Sequence, residues 1–180
     1  VAPVDRLTVF ANINLLEGKY DKFLNGPSFF PQPPNAPKPI PPGCGITAYP
    51  TPNGAQPSRQ LACDLSGNKT ANTPPFTSNV SVVYEIPTER ANFSIGVSWA
   101  HGGDFYFDAN NVPLTRQPTT DIFNGSISAS TLDGRASLRL WVKNATKEKY
   151  YLYIAQSTSF GAAYAPAAPR TVGVTLTGKF

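Results

Sequence analysis

Residues 93–99 read Phe93-Ser94-Ile95-Gly96-Val97-Ser98-Trp99, with apolar side chains alternating with small polar ones. In an extended chain every second side chain points to the same face, so this stretch is a β-strand with one apolar and one wet face. Upstream, Val80, Val82, Tyr84 and Ile86 alternate with Ser81, Val83 and Glu85. Downstream, Leu138, Leu140 and Val142 alternate with Ser137, Arg139, Trp141 and Lys143, and Val172, Val174 and Leu176 mark a last strand. Leu7-Thr8-Val9-Phe10 has the composition of another strand, followed by a short helix or irregular segment from Leu15 to Leu24. Phe105 and Phe107 follow Gly102-Gly103, which predicts a hairpin over 92–108 turning at the glycines. Tyr150 to Ile154 after Asn144-Ala145-Thr146-Lys147 predicts a second hairpin, returning onto residues 138–143. Several such strands separated by turn residues indicate a sandwich or a related barrel. The expected fold is all-β, an antiparallel β-sandwich of Ig-like or jelly-roll-like form.

The chain has 180 residues, which suits one domain over 1–180. Apolar residues make up 41%, enough for a core, whereas charged residues make up only 14%, well under the roughly 25% of an average soluble domain. Eleven of the 19 prolines fall between Pro27 and Pro57. Such a stretch favours polyproline II and extended loop over a sheet ladder, so residues 27–57 are expected to form a rigid belt. Cys44 and Cys63 are the only cysteines, and an even pair in an oxidising compartment reads as one disulfide closing that belt.

The net charge of +4 comes from scattered basic residues, without the clustering that follows a phosphate backbone, so no nucleic-acid partner is expected. The densest group, Lys143, Lys147 and Lys149 beside Trp141 and Tyr150, reads as a solvated hairpin end. No apolar run reaches the roughly 18 residues of a membrane helix, so no membrane span is expected. The start at Val1-Ala2-Pro3 reads as a mature or trimmed chain. Five Asn-x-Ser/Thr sequons, at Asn68, Asn79, Asn92, Asn124 and Asn144, point to a secreted, extracellular glycoprotein.

Catalytic constellations are missing. His101 is the one histidine, no Gly-x-Ser-x-Gly elbow occurs, and a catalytic thiol or a zinc site would need further ligands. Glu17, Glu85, Glu89, Asp104, Asp108 and Asp121 supply carboxylates without the paired spacing of a glycosidase. Asp104, Asp108, Asn110 and Asn111 offer oxygen ligands but do not follow the EF-hand pattern, and read as a turn. The chain is therefore expected to be a non-enzyme with no cofactor and no metal. Two binding surfaces stand out. The first comprises loops at His101, Gly102, Gly103 and Asp104 and at Pro118, Thr119 and Thr120. The second is an aromatic platform of Trp141, Tyr151 and Tyr153, flanked by Arg139 and Lys143 and suited to glycans or a cell-wall polysaccharide.

Over Pro118-Thr119-Thr120 the sequence resembles the wedge loop of chagasin-type cysteine protease inhibitors, which are small Ig-like sandwiches. Ala100-His101-Gly102-Gly103 resembles their Gly-rich loop, in the opposite chain order and with Ala100 where the first Gly belongs. In composition the whole chain resembles secreted fungal apoplastic effectors, which are small and disulfide-bonded. These resemblances imply a virulence effector that binds an extracellular host protein. The leading expectation is inhibition of a papain-like cysteine protease, with the Gly102-Gly103 tip and the 118–120 loop occluding its cleft.

Overall fold

The computed structural model describes residues 5–27, 44–49, 58–157 and 161–179. Among these residues thirteen strands follow in chain order. They are β1 Leu7–Leu15, β2 Gly26–Pro27, β3 Cys44–Tyr49, β4 Ser58–Cys63, β5 Phe76–Pro87, β6 Asn92–Gly102 and β7 Phe105–Tyr106, then β8 Arg116–Gln117, β9 Thr120–Ser130, β10 Ala136–Lys143, β11 Tyr151–Ser157, β12 Gly161–Pro166 and β13 Thr171–Gly178. One 3-10 turn, Pro113–Thr115, precedes β8.

The chain is all-β and antiparallel, as expected. Its strands form one broad six-stranded sheet in the order β1-β5-β6-β9-β10-β13, with three small sheets, β2-β4-β3, β7-β8 and β11-β12. The broad sheet runs up and down, and its connections alternate in length. At one end, tight turns join β5 to β6 and β9 to β10. Thr88 Oγ1 caps the first, receiving the Ala91 N–H at 3.1 Å, and Asp133 Oδ1 braces the second, receiving the Arg135 N–H at 3.1 Å. At the other end lie the long connections 16–75, 103–119 and 144–170, and these carry all three small sheets.

Register sorts the side chains into two unlike faces. One row runs Leu7, Tyr84, Ile95, Ile127, Leu140, Val174, and its neighbour runs Val9, Val82, Val97, Gly125, Val142, Val172. The opposite face carries rows such as Phe10, Ser81, Ser98, Asn124 and Glu85, Ser94, Ser128, Arg139, Thr175. Hydroxyls and amides tie that face across strands: Ser94 and Ser128 share a 2.6 Å hydrogen bond, and Asn124 Nδ2 donates to Ser98 Oγ at 3.1 Å.

A sandwich would bury the apolar face against a second sheet. Here the face is bare: Val97 is 53% exposed, Leu140 50% and Leu176 78%. The buried apolar side chains among the described residues are Ala62, Cys63, Leu65, Phe107 and Ile154, all outside the broad sheet. The packed core therefore sits in the long connections.

Two expected hairpins are not formed. β6 pairs along its length with β5 and β9, and Gly102 is itself paired, opposite Thr77 and Thr120. The Gly103 N–H then donates to Phe76 O at 2.8 Å, so the glycines prolong the strand contact instead of reversing it. Phe105–Tyr106 pairs with Arg116–Gln117. Likewise β10 pairs with β9 and β13, and β11 pairs with β12. Asn144 and Lys147, both at positive φ, turn the chain out of the sheet after β10.

The Cys44–Cys63 disulfide is present and joins β3 to β4. Within the expected Pro-rich belt, residues 44–49 are a strand, and residues 28–43 and 50–57 lie outside the described residues.

Candidate functional site

The broad apolar face is the most unusual surface of the molecule, and its chemistry is graded along the strands. Toward the long connections it ends in an aromatic group. Trp99 stacks on Phe123 with ring centroids 6.4 Å apart, and His101 lies 5.7 Å from Trp99 and 5.3 Å from Phe76. Toward the tight turns Tyr84 and Phe93 are its aromatic members. Between them the face presents only aliphatic side chains and glycine, for example Ile95, Val97, Gly125 and Ile127. At ~3.3 Å per residue the six steps from Phe93 to Trp99 cover about 20 Å of strand.

Beyond Trp99 the face turns polar at the paired residues His101 and Asp121. Trp99 Nε1 donates to Asp121 Oδ1 at 2.8 Å, and His101 Nδ1 lies 2.9 Å from the same oxygen. The bond from His101, then that from Trp99, hold the Asp121 carboxyl below its ordinary pKa of 3.8. A lowered folded pKa means the contact contributes fully above the ordinary value and is lost as pH falls through the folded one. The ¹³C signal of the Asp121 carboxyl should thus show its own transition only below about 3.8. A carboxyl midpoint at or above 3.8 would show that His101 and Trp99 do not hold the charged form.

The remaining site residues from the sequence fall around this rim. His101 and Gly102 are strand residues. Asp104 ion-pairs with Arg116 at 3.3 Å and, more loosely, with Lys69 at 3.9 Å. Pro118-Thr119-Thr120 leads into β9, and Gly102 pairs with Thr120. The structure therefore brings residues 101–104 and 118–120 side by side. The aromatic trio is divided instead. Trp141 is on the polar face of β10, whereas Tyr151 and Tyr153 are exposed on β11, near Tyr164 and Phe107 respectively. Among the described residues no three His, Cys, Asp or Glu side chains gather in a group able to hold a metal ion.

The long connections interlock. The first meets the second where Lys69 N–H donates to Asn111 Oδ1 at 2.7 Å and Asn68 Nδ2 donates to Ala109 O at 2.8 Å. The second meets the third where the Tyr151 N–H donates to Oε1 of the buried Gln117 at 2.9 Å, and Phe107 packs edge-on to Tyr153. The third is folded around Asn144, buried and at φ 50°. Its Oδ1 accepts the Glu148 N–H at 2.7 Å, and its Nδ2 donates to Glu148 O at 2.8 Å.

The Nδ2 atoms that would carry a glycan are thus engaged internally at Asn68, Asn124 and Asn144, whereas Asn79 and Asn92 are exposed on strands. Asn144→Ala should cost about 2 kcal/mol, by stranding buried backbone groups and by placing a Cβ-bearing residue without Asn's local bonds in the left-handed region. Asn144→Gly should recover about 1 kcal/mol of that, since glycine tolerates the backbone angle. Chemical denaturation of the three proteins side by side measures both steps.

No protein family matches the chain, and no curated protein matches it. Its fold is shared with parts of larger receptor proteins. One is the ferric yersiniabactin uptake receptor FyuA of Yersinia pestis, at TM-score 0.59 and 24% identity, over 64% of this chain and 18% of that one. Another is BauA, the ferric preacinetobactin receptor of Acinetobacter baumannii, at TM-score 0.52 and 13% identity, over 99% of this chain and 35% of that one. At these identities the likeness is one of fold, and the chain spans well under half of either receptor's length.

The sequence contained a signal for this surface that the strand-by-strand reading passed over. Across all six long strands, the positions that register places on the apolar face between the two aromatic groups hold no charged residue, while the other face is mostly Ser, Thr, Asn and Gly.

Proposed function

We propose that this chain is a wall segment of an outer-membrane-type β-barrel belonging to an uptake receptor. The observation that carries this reading is the uncovered apolar face on an up-and-down sheet whose reverse face is polar. In water such a face is costly at about 25 cal/mol per Å². Against lipid it is matched, and the polar face then lines the barrel interior. Membrane strands need about 9–11 residues, and β6 and β9 have eleven each. Aromatic groups at both ends of the apolar band, tight turns at one end and long loops at the other are further traits of such barrels.

Among the described residues no helix is long and apolar enough to cross a membrane, but that statement does not bear on strands. Among the described strands β1 pairs with β5 and β13 with β10, at the two ends of the sheet order. Hydrocarbon tolerates no open sheet edge, so further strands, from the rest of a receptor or from other copies of this chain when it is folded alone into vesicles, would pair with both and close the barrel. The disulfide in the first long connection suits the oxidising side of the membrane, with the interlocked loops facing outward. The solved receptors sharing this fold are named for ferric chelates. A ferric chelate is accordingly the cargo we propose for the complete receptor.

The protease-binding and glycan-binding readings fit the geometry less well. Gly103 is packed on the Phe76 backbone and is not a free tip, and Trp141 does not share a platform with Tyr151 and Tyr153.

The two tryptophans test the membrane reading directly, because they lie on opposite faces. Single-tryptophan variants, Trp141→Phe and Trp99→Phe, would be folded into phosphatidylcholine vesicles carrying brominated acyl chains. Trp99 should be strongly quenched and Trp141 spared. Equal quenching of both, or of neither, would refute the assignment of the apolar face to lipid.

A further inference from the structure

The polar face holds a groove of about 580 Å³ along β10, lined in part by Ser98, Asn124, Ser126, Arg139, Trp141 and Lys143. Arg139, Trp141 and Lys143 are alternate residues of one strand, so they follow one another at roughly 6.7 Å intervals on the same face. Trp141 lies flat across Gly173 of β13, where a Cβ would overlap its ring, and its Nε1 donates to Thr175 Oγ1 at 3.2 Å. The indole is thereby fixed in orientation, half-buried, with Lys143 Nζ 5.6 Å from the ring centroid. Arg139 spends one donor on Ser126 Oγ at 3.1 Å. A guanidinium has five N–H donors, so it keeps capacity for a carboxylate.

Neither cation has an ion-pair partner among the described residues. The carboxylate sharing Arg139's row is Glu85, three strands away, or about 14 Å at ~4.8 Å per strand. Two cations without a carboxylate partner, Arg139 beside the Trp141 ring and Lys143 with its ammonium over it, therefore sit at a fixed aromatic plane, in a groove otherwise lined by Ser, Thr and Asn side chains, Val83 and strand backbone.

We infer that this groove is a binding site for an organic anion bearing a flat ring, an aromatic carboxylate in chemical class. The ring stacks against Trp141, and the carboxylate takes the free N–H groups of Arg139 or the ammonium of Lys143. The groove's place inside a barrel rests on the membrane reading, but its affinity for anions does not, so the two stand or fall separately.

The test uses the two indole N–H signals of the ¹⁵N-labelled chain in detergent micelles, titrated with 2-naphthoate. The Trp141 signal should shift saturably. The Trp99 signal, from the apolar face, should stay still, and movement of both alike would mean partition into the micelle and overturn the site. Arg139→Gln with Lys143→Gln should weaken binding about tenfold, and added salt should weaken it in the parent chain. Two further ligands need no variant: 2-naphthalenemethanol lacks the charge and cyclohexanecarboxylate lacks the flat ring. Either one binding as tightly as 2-naphthoate, or the double variant titrating like the parent, would overturn the proposal.

Discussion

Val97→Arg should destabilise the chain folded in lipid vesicles by about 2–4 kcal/mol, the cost of a cation at the middle of a lipid-facing strand. Val97 sits midway between Phe93 and His101 on the apolar face of β6, in a row with Val82, Gly125 and Val142. Arginine there has no carboxylate in reach on its own face and must snorkel or drag water into the hydrocarbon. Ser98→Arg, one residue along and on the opposite face, should cost only about 1 kcal/mol, the loss of the bond its hydroxyl accepts from Asn124 Nδ2, because the new side chain meets water there. Urea titration of both variants in vesicles measures the difference. A water-exposed face predicts the reverse ranking: Val97 is already 53% exposed, and surface substitutions usually stay within about 0.5 kcal/mol. A cost for Val97→Arg no larger than that for Ser98→Arg would therefore remove the membrane assignment.

Loss of the disulfide should be felt locally and strongly. Cys44 and Cys63 are 19 residues apart, and closing a loop of about that length is worth about 3 kcal/mol in the chain-entropy treatment. Cys63 is buried with Ala62 and Leu65, and the Leu65 N–H donates to Phe23 O at 2.9 Å, so the bridge anchors a small packed unit. In the Cys44→Ser, Cys63→Ser double variant, hydrogen exchange at Ala62, Cys63→Ser and Leu65 should accelerate about 100-fold. Amides of β6 and β9, in the broad sheet, should keep their protection. Acceleration across both regions would show that the two form one cooperative unit.

Strand identity was readable because the repeat is short and local. Phe93 to Trp99 alternates whatever lies across from it, and so do Leu138 to Val142. Pairing partners were less readable. Gly102-Gly103 has the composition of a hairpin turn, yet in the fold it runs alongside Phe76 and Thr120, because register with β5 and β9 outweighs the turn preference of two glycines. Asn144 looked like one sequon among five. Its bonds to Glu148 are local, but its burial brings it against Asn124 of β9 and Ala168, 20 and 24 residues away in sequence.

The candidate site shows the same division. The sequence by itself determined that the chain is all-β, that each long strand has an apolar and a polar side, and that two cysteines form its one possible intramolecular disulfide. All three follow from local chemistry: period-two alternation and the count of thiols. Tertiary structure alone decided that six apolar sides merge into one continuous surface, and that nothing in the described chain covers it. Alternation specifies that a face must leave water but is silent on what receives it. A second sheet and a lipid bilayer satisfy the same pattern, and only the arrangement of strands distinguishes them.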